Sequence, residues 1–218
     1  MTLDGPRQEP NQPATALVVL LHGYGADGAD LISLAEAWHS VLPGVAFVAP
    51  DAPEPLPAAG FGGRQWFPLT LRDPNELWHG VNYAAPVLNR FLDRELERYQ
   101  LSPNRLALVG FSQGTMMALH VGLRRNEQVA AIVGFSGLLA GPEHLASEIK
   151  SRPPVQLIHG EIDDLIPVEG LHFTREALAA ARVPVEWHVR PGLGHGIDPV
   201  GLQLAGDFLA QALGPRGR

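Results

Sequence analysis

The chain contains no cysteine. That absence excludes a thiol nucleophile, a disulfide framework and thiolate-bound zinc, and it fits a reducing, cytoplasmic setting. Long hydrophobic runs are missing too. The longest, Ala16 to Leu21, falls far short of the roughly 20 residues a membrane-spanning helix needs. The stretch from Met1 to Pro13 lacks the apolar core of a signal peptide and carries Pro6, Pro10 and Pro13, so residues 1–14 read as a flexible Pro-rich segment. Nor is there a basic patch. Net charge is -7 at pH 7, and neither Arg124-Arg125 nor Arg216/Arg218 is dense enough to attract a phosphate backbone, which argues against nucleic acid as a partner. No H-E-x-x-H or clustered metal-ligand spacing occurs.

What is present suits one ordinary globular domain, expected over 15–214. With 218 residues, such a domain buries enough surface to fold without a disulfide or metal staple. Continuous aliphatic runs at Ala16–Leu21, Val45–Ala49, Leu106–Val109, Val129–Val133 and Val155–Ile158 predict parallel strands covered on both faces. Val185 to Val189 alternates instead, as an edge strand would. Between the runs lie helical patterns. Leu88, Phe91, Leu92 and Leu96 recur at helical spacing, and Pro86 is expected in that helix's first turn. Further helices are expected at Gln113–Arg125, Val168–Ala181 and, capped by Asp198-Pro199, through about Leu213. Strands alternating with helices imply βαβ units and a mostly parallel sheet between two helical layers.

One stretch breaks this rhythm. Residues 51–78 carry Pro53, Pro55, Pro57, Gly60, Gly62, Gly63, Pro68 and Pro74 together with Phe61, Trp66, Phe67 and Trp78. A long loop in a compact domain is commonly functional. It is expected to pin itself to the core through its aromatics, to form a wall of a substrate pocket, or both.

Gly110-Phe-Ser-Gln-Gly114 matches G-x-S-x-G. Chance composition could produce the pattern, but its setting is specific: a predicted strand ends at Val109 and a predicted helix begins at Gln113. A nucleophile elbow needs that strand-to-helix turn, with small residues on both sides of the serine. The helix N-terminus also points its positive end at developing negative charge. Gly134-Phe-Ser-Gly-Leu138 follows a strand as well, yet lacks the second glycine and a clear helix, so Ser136 reads as a turn residue. Ser112 is the expected nucleophile.

A serine nucleophile needs a base, and the base needs an orienting acid. Of nine histidines, His195 stands apart, set in Pro191-Gly-Leu-Gly-His-Gly196 between the last strand and the Asp198-capped helix. His22 and His159, each at a strand end before glycine, suit structural hydrogen bonds. The acid is expected after Val155–Ile158, where Glu161, Asp163 and Asp164 are available; spacing alone does not choose between the aspartates. The order serine, acid, histidine is that of the α/β-hydrolase fold. The oxyanion is expected to meet the backbone N–H of Gln113 and that of Tyr24, in the glycine-flanked turn His22-Gly-Tyr-Gly25.

With these motifs in place the sequence resembles the phospholipase/carboxylesterase family, which includes acyl-protein thioesterases and small bacterial carboxylesterases. The match rests on Leu21-His-Gly-Tyr-Gly-Ala-Asp27, Trp66-Phe67, Gly110-Phe-Ser-Gln-Gly114, and His159-Gly-Glu-Ile-Asp-Asp-Leu-Ile-Pro167 with Gly194-His195. The resemblance implies Asp163 as the acid, from the pattern H-G-x-x-D-x-x-V-P, with Ile166 for the usual valine. It implies a three-layer α/β-hydrolase fold without a large cap domain, a cofactor-free Ser-His-Asp mechanism, and Trp66-Phe67 as substrate-binding residues. Tyr24 stands where members often carry leucine. The expected activity is hydrolysis of short- to medium-chain esters, with acyl-protein thioesterase or lysophospholipase action as the alternative and a non-catalytic binding module as a remote one. The expected partner is a small ester or thioester, with no nucleic acid, no membrane span, and a homodimer allowed.

Overall fold

The aliphatic runs become the strands of a seven-stranded sheet. The computed structural model describes residues 2–56, 63–70 and 75–214; Pro57, Gly60, Phe61, Gly62, Pro74, Arg216 and Arg218 lie outside them. In chain order the strands are β1 (Arg7–Gln8), β2 (Ala16–Leu21), β3 (Val45–Val48), β4 (Glu54–Pro55), β5 (Arg64–Gln65), β6 (Leu106–Phe111), β7 (Ala131–Phe135), β8 (Val155–Gly160) and β9 (Val185–Arg190). The sheet runs β1-β3-β2-β6-β7-β8-β9, and β4 and β5 form a separate small ribbon. All neighbours in the large sheet pair in parallel except β1, which runs antiparallel to β3.

Side chains on a strand alternate between faces, and here both faces are buried. Leu17, Val19, Leu21, Leu106 and Leu108 enter one core, whereas Ala16, Val18, Leu20, Ala107 and Val109 enter the other. The first core is covered by α3 (Glu76–Tyr99), α4 (Gln113–Arg124), α5 (Pro142–Glu148) and α6 (Glu169–Ala180). The second is covered by α1 (Gly28–Ile32), α2 (Leu34–Trp38) and α7 (Pro199–Leu213). This is the three-layer α/β-hydrolase architecture, and no large cap stands over it among the described residues. At the far edge β9 exposes Trp187, in keeping with its alternating pattern.

Two local expectations change. Pro86 lies eleven residues into α3 rather than in its first turn. A mid-helix proline forgoes its hydrogen bond to the carbonyl four residues back, at a cost of about 3 kcal/mol. The helix continues because Val81, Ala84, Leu88, Phe91 and Leu92 bury one continuous face, and each such side chain contributes about 1.5–3 kcal/mol. The second change concerns residues 1–14. Arg7 and Gln8 pair with Val48 and Phe47, and Leu3 is buried. Arg7 also donates to both carboxylate oxygens of buried Glu95, at 2.9 and 3.4 Å. A buried carboxylate needs such a partner, so Leu3, Arg7 and Gln8 are tied to the sheet.

Parallel pairing brings the carboxyl ends of the strands to one edge. Leu21 is level with Gly110, Phe111 with Phe135, and Gly160 with Arg190. The segments that follow carry Tyr24, Ser112, Ser136, Asp163 and His195. In open α/β sheets this edge is where ligands bind.

Candidate active site

The turn from β6 into α4 leaves no room for side chains on either side of Ser112. A Cβ at Gly110 would enter the backbone of Gly114 and Thr115, and one at Gly114 would enter the carbonyl of Leu21. Ser112 itself has φ 54° and ψ -116°, a conformation that costs a non-glycine residue about 1–3 kcal/mol. Its surroundings hold it there. Ser112 N–H donates to Phe135 C=O at 2.9 Å. The buried Thr115 hydroxyl bridges the carbonyls of Gly110 and Phe135 at 2.8 and 2.9 Å. Ser112 is half-buried, whereas Ser136 has no exposed surface. Ser136 also has positive φ, 45°, but its N–H bonds Ile158 C=O and its hydroxyl bonds Gly196 C=O. It braces the loop that carries His195.

Asp163 and His195 meet. Asp163 Oδ2 accepts from His195 Nδ1 at 2.8 Å, which leaves Nε2 of a neutral ring free to accept a proton. The other carboxylate oxygen, Oδ1, accepts the N–H groups of Leu165 and Ile166 at 3.0 and 2.9 Å. Burial alone would raise the Asp163 pKa. The bonds from Ile166, His195 and Leu165 outweigh it and hold the carboxyl below the usual carboxylate range. The neighbouring candidates do other things. Asp164 is exposed, and Glu161 accepts Gly192 N–H at 3.0 Å, fastening the base of the His195 loop. The Phe111 ring lies 5.0 Å from the His195 ring and so connects the histidine to the elbow. Among the described residues no hydrogen bond joins Ser112 Oγ to His195, and such contacts commonly tighten only when substrate is bound.

The turn after β2 packs directly on the elbow. A Cβ at Gly23 would lie 3.3 Å from Ser112 Cβ and 3.1 Å from the Phe111 ring, so a larger residue would have to displace these side chains by a few tenths of an ångström. Among the described residues, no backbone carbonyl engages Tyr24 N–H, and Gln113 N–H opens α4, where helical N–H groups lack partners. Trp66 and Phe67 border this region with no exposed surface at all. Trp66 Nε1 donates to His22 C=O at 2.9 Å, and Gly80 packs against the Phe67 ring. They are buried anchors of the 51–78 loop.

The family model described as phospholipase/carboxylesterase matches residues 7–213. The chain belongs to the phospholipase/carboxylesterase family. Similar family proteins include acyl-protein thioesterase 1 of Gibberella zeae, 29% identical across 93% of this chain and 92% of that one. Another is esterase YpfH of Escherichia coli, 27% identical across 93% of this chain and 85% of that one. The crystal structure of esterase PE8 superposes with a TM-score of 0.94 at 44% identity, covering 98% of this chain and all of that one. Acyl-protein thioesterase 2 of Zea mays shares the fold, with a TM-score of 0.78 at 24% identity over 96% and 98% of the two chains. The protein is thus a carboxylic ester hydrolase.

His159 makes the structural hydrogen bond expected of it, but its closeness to Asp163 and the contacts of the Gln113 side chain are not foreseen from the sequence. His159 is buried; its Nε2 donates to Ile166 C=O at 2.7 Å and lies 3.3 Å from Asp163 Oδ2. Burial depresses its pKa and keeps it neutral. Its spacing of four from Asp163 was the available signal. The Gln113 side chain accepts Trp66 N–H at 2.9 Å and donates to Phe67 C=O at 2.8 Å, and no sequence pattern announces a contact 47 residues away.

Proposed function

We propose that this chain is a serine carboxylesterase in which Ser112, His195 and Asp163 form the catalytic triad. The observation that carries the reading is the 2.8 Å bond from His195 to Asp163 beside a serine in strained elbow geometry. Ser112 Oγ attacks the acyl carbonyl as His195 Nε2 takes its proton. Asp163 fixes the tautomer and stabilises the imidazolium, and its depressed pKa keeps it ionised for that task. The N–H groups of Gln113 and Tyr24 hold the oxyanion, each contributing on the order of 10²–10³ in rate. His195 then protonates the leaving alcohol. Water enters by the reverse of these steps and frees the acid.

Short- to medium-chain acyl groups are the proposed substrates. Trp66 and Phe67 are buried, and Tyr24, Ile162 and Leu165 are exposed on the loops that carry the oxyanion turn and Asp163. The described residues of the 51–78 loop are proposed as one wall of this cleft. A thioester reading is favoured by the similarity to proteins named acyl-protein thioesterase 1. The same triad serves it, because a thiolate leaves with less help from an acid.

The test is steady-state hydrolysis of p-nitrophenyl esters from acetate to palmitate alongside S-acylated peptides, comparing Ser112→Ala with Ser136→Ala. Loss on the order of 10⁴ or more in Ser112→Ala alone is expected, with butyrate to octanoate preferred. Full activity in Ser112→Ala, or a preference for palmitate, would contradict the reading.

A further inference from the structure

The two expected oxyanion donors belong to different parts of the chain, Tyr24 to the turn after β2 and Gln113 to the start of α4. Their N–H groups must nonetheless converge on one oxygen within a few tenths of an ångström. A continuous set of buried hydrogen bonds joins them. The Gln113 amide grips the backbone of residues 66 and 67 from both sides, through Oε1 to Trp66 N–H and Nε2 to Phe67 C=O. The Trp66 indole carries the connection to His22 C=O. His22 accepts Ala52 N–H at Nε2 (2.9 Å) and donates from Nδ1 to Gly23 C=O (2.8 Å). Gly23 C=O and Tyr24 N–H belong to a single planar peptide unit, so the grip on that oxygen sets where Tyr24 N–H points.

We propose that the Gln113 side-chain amide is a positioning residue that couples the two oxyanion donors through Trp66 and His22. The proposal rests on the oxyanion reading given above. Every link in the chain is buried. An amide is needed at its head because one side must accept and the other donate, which neither an ionised carboxylate nor an aliphatic side chain can do.

That requirement makes the test specific. In Gln113→Glu, the protonated acid supplies one acceptor and one O–H donor and so reproduces both bonds. Once ionised it opposes the Phe67 carbonyl and leaves the grip open. Burial raises the pKa of such a carboxyl, so the switch falls within reach of assay. The titratable and charged groups bordering the site are His22, Asp51, Arg64, Glu54 and the His195–Asp163 pair. All are shared with the wild type, and Gln113→Leu, which adds no charge, separates loss of the grip from the effect of a new carboxylate on these groups.

The experiment measures kcat and KM for p-nitrophenyl butyrate from pH 5 to 9 in wild type, Gln113→Glu, Gln113→Leu and Trp66→Phe, with Ser112→Ala as background. The Gln113→Glu to wild-type ratio of kcat should approach unity at the acid end and fall up to tenfold per pH unit above the new carboxyl's pKa, with KM little changed. Gln113→Leu should lose about 10- to 100-fold in kcat at every pH. Trp66→Phe removes the indole N–H together with part of the buried ring, and should lose a smaller factor in kcat with KM little changed; with its fold checked by circular dichroism, it keeps the test available if the Gln113 variants do not fold. A pH-independent ratio near unity with wild-type kcat in Gln113→Leu, or wild-type kcat in Trp66→Phe, would overturn the coupling. Activity surviving in Ser112→Ala would instead bring down the triad reading itself.

Discussion

His195 donates a 2.8 Å hydrogen bond to Asp163 across 32 residues of sequence, while Asp164, one position on, faces solvent. Parallel pairing of β8 with β9 makes this possible, since it places the loops after Gly160 and Arg190 side by side. Those loops are stitched further by Ile162 N–H to Leu193 C=O at 3.0 Å.

The difference between the two aspartates is directly measurable. Asp163→Asn keeps the shape of the side chain but can hold His195 in the wrong tautomer, so kcat should fall on the order of 10⁴ with KM little changed. Asp164→Asn should stay within about twofold of wild type, since surface changes of this kind are nearly neutral. Steady-state kinetics on one ester settles the comparison, and equal losses in both variants would count against the assignment.

Crowding at the elbow gives a stability expectation. Gly114→Ala forces a methyl group into the carbonyl of Leu21 and should cost about 3 kcal/mol, the upper end for overpacking. In a chain of this length that lowers Tm by about 6–12 °C. Gly196→Ala meets nothing within 4 Å and should stay within about 1 kcal/mol of wild type. Thermal unfolding by circular dichroism distinguishes the two.

Strain at Ser112 should be recoverable as stability. Glycine relieves a positive-φ cost of about 1–3 kcal/mol but gives back about 0.4–1 kcal/mol through the more flexible unfolded chain. Ser112→Gly should therefore be more stable than Ser112→Ala by about 1 kcal/mol, with both inactive. Urea midpoints with unchanged slopes would establish it; an alanine variant as stable as the glycine one would show that the elbow stores no strain.

Much of this was legible before any coordinates. Aliphatic runs such as Ala16–Leu21 announce buried parallel strands because both faces of each strand must be covered. G-x-S-x-G and Asp198-Pro199 are legible because local sterics and capping dictate them; Asp198 does accept Gly201 N–H at 2.8 Å. What was missed depends on tertiary partners. Arg7 and Gln8 form a strand because β3 has an open edge and Glu95 needs a cation, neither of which shows in a polar dipeptide. Helices α1 and α2 went unread, although Asp27 and Asp30 form a capping box. Trp66 and Phe67 stand out in the sequence, but pattern does not tell an aromatic that lines a pocket from one that holds its wall.

Acid stability should follow from neutral buried histidines. Burial depresses the pKa values of His22 and His159, and burial together with Arg124 takes His120 down to about 3. Unfolding lets each bind a proton near pH 6.5, so stability is full above that pH and is lost as pH falls. Each contributes about 1.4 kcal/mol per pH unit until its folded-state pKa is reached. The depressed Asp163 pKa acts only at lower pH, below the ordinary carboxylate value. His120 Nδ1 is buried without a partner among the described residues. His120→Leu should therefore keep wild-type stability at pH 7.5 to within about 1 kcal/mol and flatten the decline between pH 6.5 and 4. An unchanged slope in chemical unfolding across that range would refute this.

The most direct test of the central claim is stoichiometric labelling with an alkyl fluorophosphonate, followed by mass mapping of the modified peptide. One phosphonyl group on Ser112, appearing in step with loss of ester hydrolysis, is the expected result. A label on Ser136 or any other residue, or full hydrolysis by protein already labelled at Ser112, would contradict the account.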